Sequence, residues 1–207
     1  MKSIPFEPAF FHVFGGALRH GEILILPTDT IPGFATDATN QKGIANIFRC
    51  KNRPEAKALL LLVPDFLSAE KVAVFSPLAR KLARTFWPGP LTLLLPRKKG
   101  VLSHFFPESL ELAIRVPGDA LVRSFLHFFG KPIASTSVNI SGSLPLVSSE
   151  EILSIFGKEE GILASHSKDP QKHSIFPSTI VRVGADGVTC IRSGVIPEHE
   201  IQKSQQK

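Results

Sequence analysis

Tyrosine is missing from this 207-residue chain although phenylalanine occurs 16 times, and cysteine occurs only twice. The two cysteines, Cys50 and Cys190, lie far apart, and neither has the paired Cys or His spacing of a zinc site. A disulfide framework and a metal cage are therefore both disfavoured, and the pair reads as small buried or half-buried residues in a reducing compartment. Without tyrosine, a base-stacking platform would have to rely on phenylalanine. Long apolar runs are lacking too: the longest, residues 58–63, is far too short to cross a bilayer. The N-terminal MKSIPFEPAFFHVFGG is broken by prolines, a glutamate and a histidine, which removes the continuous apolar core of a signal peptide. These absences point to a soluble, cytoplasmic protein with no membrane role.

Several catalytic signatures are absent as well. The chain contains no Gly-x4-Gly-Lys-Ser/Thr loop, no Gly-x-Gly-x-x-Gly after a strand and no Gly-x-Ser-x-Gly elbow, which removes support for P-loop, dinucleotide-binding and esterase functions. Its histidines, at 12, 20, 104, 127, 166, 173 and 199, have no metal-site spacing, so no protein-held metal is expected. What is present is 43% hydrophobic residues, enough for a full-sized core, and a formal charge of +6 that favours polyanions. The basic run is confined to Arg97-Lys98-Lys99, which by itself reads as a solvated loop.

Periodicity predicts a helix over residues 8–20, with Phe10, Phe14 and Leu18 on one face, then a buried strand over 22–26. Asn40 is a candidate N-cap for a helix to Arg49, and a buried strand follows at 58–63. Pro77 opens a helix carrying Leu78, Leu82 and Phe86, ended by Trp87-Pro88-Gly89-Pro90. Strands are predicted at 91–95 and 112–116, a helix from Asp119 to Gly130, and an extended segment at 132–139. Ser148 and Glu151 have capping-box spacing at the start of a helix to Phe156. Extended segments at 161–164, 179–183 and 188–192 finish the fold, the last two as a hairpin. The pattern implies an α/β domain over residues 1–197 around a twisted mixed sheet with helices packed on it, and a polar, frayed tail at 198–207.

Three stretches carry candidate chemistry. In the first, ILILPTDTIPGFATDA at residues 23–38, an apolar run stops at Pro27 and Thr28, Asp29 and Thr30 follow. In the second, the segment from Ser135 to Gly142, strand alternation puts Ser135, Ser137 and Asn139 on one side. This row of small donors and acceptors reads either as contacts to phosphate or carboxylate oxygens or as a solvent-facing edge strand. In the third, Pro54 forces Lys51-Asn52-Arg53 to be extended, projecting Lys51 and Arg53 to one side, a pair suited to a triphosphate. Arg115 and Arg192 end strands, where open α/β sheets bind ligands, and Ser178 opens the hairpin.

Together these segments resemble the YrdC/TsaC family of threonylcarbamoyl-AMP synthases. The resembling motifs are Pro27-Thr28-Asp29-Thr30 with Gly33, Lys51-x-Arg53-Pro54, Trp87-Pro88-Gly89-Pro90-Leu91-Thr92, Arg115-Val116-Pro117, Ser135-Thr136-Ser137-x-Asn139-x-Ser141-Gly142, Ser178-Thr179-Ile180-Val181 and Arg192-x-Gly194. The resemblance implies a single YrdC-like domain with a positively lined cavity. It implies a nucleotidyltransferase that condenses L-threonine, bicarbonate and ATP to threonylcarbamoyl-AMP and pyrophosphate, with Mg2+ carried by the nucleotide. The product would serve N6-threonylcarbamoyladenosine formation in tRNA through downstream tRNA threonylcarbamoyl transferase proteins. Direct binding of tRNA or double-stranded RNA is a further expectation.

By matching position, Thr30, Arg115, Ser135 and Ser178 would contact threonine. Lys51, Arg53, Ser137, Asn139 and Arg192 would hold ATP, with Lys51 and Arg53 acting on the reacting phosphates. Asp29 would orient its loop. Three positions depart from the family pattern: Pro32 stands for a frequent tyrosine, Leu62 for a threonine-contacting histidine and Glu111 for a small hydroxyl residue. The alternative of a different class is a non-catalytic RNA-binding module using the same basic cavity. Carbamoyl transfer of the hydrogenase-maturation kind would need zinc-finger and acylphosphatase-like partners, for which the chain has neither room nor cysteines.

Overall fold

The computed structural model describes residues 3–52, 59–102, 110–167, 174–184 and 187–206. Among these, the strands are β1 (Ile4–Pro5), β2 (Ile23–Leu26), β3 (Gly33–Asp37), β4 (Leu60–Leu62), β5 (Leu91–Pro96), β6 (Glu111–Arg115), β7 (Ile133–Ser137), β8 (Ile162–His166), β9 (Thr179–Gly184) and β10 (Gly187–Arg192). The helices are α1 (Phe11–Arg19), α2 (Gln41–Cys50), α3 (Phe66–Val72), α4 (Pro77–Phe86), α5 (Ala120–Phe129), α6 (Ser149–Phe156) and α7 (Glu198–Gln206). The strands form one sheet in the order β1-β8-β2-β3-β7-β4-β6-β5-β9-β10. Parallel pairs such as β4 with β6 and β5 with β9 alternate with antiparallel ones such as β3 with β7 and β9 with β10, so the α/β fold with a mixed sheet is the one the chain adopts.

Helix starts follow from local chemistry. The side chains of Asn40, Ser76, Asp119 and Ser148 accept hydrogen bonds from backbone amides of the first turns of α2, α4, α5 and α6, supplying partners that a helix N-terminus lacks. Gly130, at φ 78°, takes the left-handed conformation that ends α5.

Strand alternation divides the core in two. On β2, Ile23 and Ile25 join the larger cluster, whereas Leu24 and Leu26 join the smaller one on the opposite face. The smaller cluster takes up much of the phenylalanine surplus: Phe6, Phe11 and Phe14 meet Phe125 of α5 at ring separations of 5.5, 5.1 and 6.2 Å. These rings fill a core rather than offer a stacking platform.

The α1 and α5 layer covers only part of this face. Register places Ala35, Ser135, Leu60, Ala113, Leu94 and Arg182 in a row across six strands. Ala35 lies under the phenylalanine cluster, but beyond it the row runs out from under the helices, and Ser135, Leu60, Ala113 and Leu94 line a cavity.

Two elements were not foreseen and two expectations change. Residues 33–37 form β3, whose sequence Gly33-Phe34-Ala35-Thr36-Asp37 carries no apolar alternation to detect. α3 escapes the periodicity reading because its short sequence FLSAEKV has little period to detect. The edge-strand alternative for residues 135–139 fails, since β7 lies between β3 and β4. The segment expected to fray from Glu198 is α7: Ile201 is buried, and the carbonyl of Gln205 accepts from Lys81 Nζ of α4 at 3.0 Å. Among the described residues, no helix is long and apolar enough to cross a membrane.

Both cysteines are half-buried and free. Burial first, then the charge of Glu159, pushes the Cys50 thiol from 9.0 up to about 11. The unfolded chain therefore loses this proton before the folded one does, and stability is expected to fall as pH rises from 9 towards 11. Denaturation midpoints across that window should flatten in Cys50→Ala relative to the parent chain.

Candidate active site

The chain leaves β2 at Pro27, which cannot continue the ladder, and turns before β3. Thr28 organises that turn: its Oγ1 donates to the Ile31 carbonyl at 2.9 Å, accepts from the Thr30 amide at 3.2 Å and lies 3.1 Å from Thr30 Oγ1. The turn thus aims Thr30 and Asp29 at Arg115, which ends β6. Arg115 Nη1 donates to Thr30 Oγ1 at 2.7 Å, and its Nε donates to the Gly89 carbonyl at 3.0 Å. Asp29 Oδ2 lies 2.7 Å from Nη2 as an ion pair.

Arg115 is only 3% exposed. Burial lowers its pKa, against the opposing effect of Asp29, so the carboxylate is what keeps a buried cation tolerable. Nη2 meets the Asp29 carboxylate as a close ion pair. Among the described residues, Arg115 Nη2 and Asp29 Oδ1 are left without a hydrogen-bond partner. A buried donor in that state is a place where a ligand oxygen would be stabilised.

Arg115 lines a cavity of about 280 Å³ together with Thr30, Ser135, Ser137, Ser178 and Arg192. Ser178 Oγ is 2.8 Å from Thr92 Oγ1, and Arg192 Nη2 donates to the Ser178 carbonyl at 2.8 Å. Burial first, and then the charge of Arg115, lowers the Arg192 pKa. Two cations at one cavity, with a carboxylate assigned to only one of them among the described residues, leave a surplus of positive charge facing an incoming anion.

Lys51 differs from the expectation of an outward, extended Lys-x-Arg pair. Its backbone is helical (φ −85°, ψ −5°) because it caps the end of α2. The side chain folds inward and is 1% exposed, with Nζ donating to the Ser137 carbonyl at 2.5 Å, the Asn139 carbonyl at 2.9 Å and Asn139 Oδ1 at 2.6 Å. Asn139 is fully engaged: Oδ1 also accepts from Ser137 Oγ, and Nδ2 donates to the carbonyls of Ile140 and Ser143. Lys51, Ser137 and Asn139 are thus brought together as one network at the end of β7. Arg53 lies outside the described residues.

Gly33 is fixed by close approach. A Cβ there would stand 2.6 Å from Ser135 Oγ and 3.2 Å from the Thr136 carbonyl. Gly33→Ala should displace the Ser135 hydroxyl and raise KM for the ligand that it contacts, with a smaller effect on kcat in steady-state kinetics.

The departures from pattern also find places. Leu62 sits opposite Arg115 and lines the cavity. Pro32 forms wall both here and in a second, mainly apolar cavity of about 240 Å³ that holds none of the sequence-predicted site residues. Glu111 is ion-paired with Arg182. Sequence reasoning quoted Thr92 in a resembling motif but gave it no role, and did not foresee the pairing of Arg182 with Glu111, although strand alternation from Ser178 and Ile180 puts Arg182 on their face. It also read Asp29 only as a loop residue, whereas its carboxylate is the partner of Arg115.

The sequence profile of the Sua5/YciO/YrdC family, described as telomere recombination, matches residues 16–194. The chain belongs to the Sua5/YciO/YrdC family. All of the sequence-predicted site residues, from Thr30 to Arg192, fall inside that match. A family relative, the threonylcarbamoyl-AMP synthase of Photobacterium profundum, is 29% identical over 176 residues, covering 81% of this chain and 95% of that protein. The threonylcarbamoyl-AMP synthase of Pyrococcus abyssi is 31% identical over 195 residues, covering 92% of this chain and 56% of its own length. The crystal structure of P. abyssi Sua5 complexed with L-threonine matches with a TM-score of 0.85 at 26% identity, over 98% of this chain and 58% of that one.

Proposed function

We propose that this Sua5/YciO/YrdC chain is a threonylcarbamoyl-AMP synthase acting on L-threonine, bicarbonate and ATP. The observation that carries the proposal is Arg115: a buried guanidinium whose Nη2 is ion-paired with Asp29 but makes no hydrogen bond, on the wall of a cavity whose other groups are mainly small hydroxyls and aliphatic carbons. That combination suits a small amino-acid carboxylate, and the threonine complex of the P. abyssi relative supports it.

Arg115 takes the threonine carboxylate, while Thr30, Ser135 and Ser178 supply hydroxyls around the rest of the molecule. The amine nitrogen forms a bond to the bicarbonate carbon, water leaves, and a carbamate results. A carbamate oxygen then attacks the α-phosphorus of ATP, the bond to the bridging oxygen breaks, and pyrophosphate departs with the added charge. Arg192 stabilises the phosphates directly. Lys51 acts as a fixed buried charge near them and holds the end of β7, with Ser137 and Asn139, in place. Positioning and charge stabilisation supply the catalysis, which is consistent with a site built from hydroxyls and cations.

Magnesium enters with the nucleotide. Among the described residues, no group of three or more His, Cys, Asp and Glu side chains comes together. An ion carried by the nucleotide would be held chiefly by phosphate oxygens and water. The product would pass to downstream tRNA threonylcarbamoyl transferase proteins in the cytoplasm. A non-catalytic RNA-binding role is not favoured, because the relatives are enzymes by name and the phenylalanines are largely in the core.

Pyrophosphate release with all three substrates, and with each omitted in turn, tests the proposal. Release that needs all three is expected; release independent of threonine, or none at any magnesium concentration, would overturn it.

A further inference from the structure

Glu111 and Arg182 pair on the cavity face of the sheet, just outside the residues that line the cavity. Arg182 Nε and Nη2 both lie 3.2 Å from Glu111 Oε2, and the two side chains are 33% and 49% exposed. A pair so open to water adds little to stability. Its position is more informative. Arg182 stands opposite Leu94, which stands opposite Ala113, and Glu111 shares a face of β6 with Ala113 and Arg115. Leu94, Ala113 and Arg115 all line the cavity.

Arg192 stands opposite Ile180, two residues before Arg182 on β9. Past a register shift between Cys190 and Arg192, strand rise and spacing set the two backbones on the order of 8 Å apart, with Arg192 lining the cavity and Arg182 just beyond its lining. On that backbone spacing an anion with one phosphoryl group would reach only Arg192, whereas a chain of phosphoryl groups would extend from Arg192 to Arg182 by displacing Glu111.

Resting on the synthase reading above, we propose that Arg182 contacts the outer phosphates of ATP and the released pyrophosphate, and that Glu111 is its positioning residue. Glu111 holds the guanidinium at the cavity edge while the site is empty and yields it to phosphate oxygens on binding. As a competitor that stays within reach, the carboxylate also limits how tightly pyrophosphate is retained. No covalent step is added. The pair instead lets the cavity distinguish a polyphosphate from a monophosphate and promotes product release.

Inorganic tripolyphosphate, pyrophosphate and monophosphate are the probes, titrated calorimetrically into the parent chain, Arg182→Gln, Glu111→Gln and the double variant. Losing a charge-assisted contact should weaken tripolyphosphate and pyrophosphate by roughly tenfold or more in Arg182→Gln, with monophosphate unchanged. Glu111→Gln should tighten both polyphosphates and recover part of the loss in the double variant. Arg182→Lys, with charge but no fork, should fall between the parent and Arg182→Gln. KM for threonine should stay constant throughout.

Equal weakening of all three anions, no weakening in Arg182→Gln, or polyphosphate affinity falling in Glu111→Gln would overturn the proposal. These bindings need no turnover. A parent chain that prefers polyphosphates but releases no pyrophosphate from ATP contradicts the synthase reading alone. Full synthase activity with Arg182→Gln indistinguishable from the parent contradicts only the role given to Arg182.

Discussion

Arg115→Ala is expected to abolish threonine-dependent pyrophosphate release and to lower folding stability by about 3–5 kcal/mol, the usual loss when one partner of a buried ion pair is removed. Both effects have one origin. The guanidinium binds Thr30 Oγ1, the Gly89 carbonyl and Asp29, tying the turn after β2 to the end of β6 and to the loop before β5. Truncation leaves the Asp29 carboxylate without its cation and removes the group assigned to the threonine carboxylate. Arg115→Lys separates the two effects: a point charge can stay near Asp29 but cannot reproduce the fork. Its stability should recover more than its KM for threonine does. Urea denaturation beside steady-state kinetics reads both quantities, and a truncated variant with the parent KM would remove Arg115 from the site.

Lys51→Ala is the second large change. It withdraws a buried ammonium from the carbonyls of Ser137 and Asn139 and from Asn139 Oδ1. Leaving buried acceptors unsatisfied costs about 1–3 kcal/mol. The larger consequence falls on ATP, because the end of β7 loses the group that fixes it and the site loses a nearby positive charge. KM for ATP should rise by roughly tenfold, a loss of about 1.4 kcal/mol in binding. Lys51→Met fills much of the same space without the charge and should show the same ATP defect. Arg53→Ala should weaken ATP use without the stability loss if its role is phosphate contact alone. Unchanged KM for ATP in both Lys51 variants would separate the β7 network from nucleotide binding.

The fold was legible where periodicity and caps coincide. Asn40, Asp119 and Ser148 cap the helices that their spacing predicts, and the apolar runs of β2, β5 and β6 are strands within a residue or two. β3 was not legible, because Gly33-Phe34-Ala35-Thr36-Asp37 owes its strand to neighbours on both sides rather than to its own composition. α7 was hidden for a related reason: its one buried apolar residue, Ile201, packs an otherwise polar helix against the body of the protein, and a single apolar position leaves no period.

At the site, sequence named Thr30, Arg115, Ser135, Ser178 and Arg192, and the structure gathers all five around one cavity. It could not show that Lys51 turns inward, since a Lys-x-Arg pair reads the same whether solvent or a strand end receives the ammonium. Nor could it pair Asp29 with Arg115 or Glu111 with Arg182, because each pair joins segments remote in sequence. The three small polar residues after Pro27 have distinct tasks: Thr28 builds the turn, Asp29 balances a buried cation, and Thr30 meets that cation at the cavity wall.

The central claim is most directly tested by following carbon from labelled bicarbonate in the presence of L-threonine and ATP. Label should appear in an adduct that carries both threonine and adenylate, in a 1:1 ratio to the pyrophosphate released, and only when both substrates are present. ATP cleavage without threonine, or pyrophosphate release without label in a nucleotide-linked product, would contradict it.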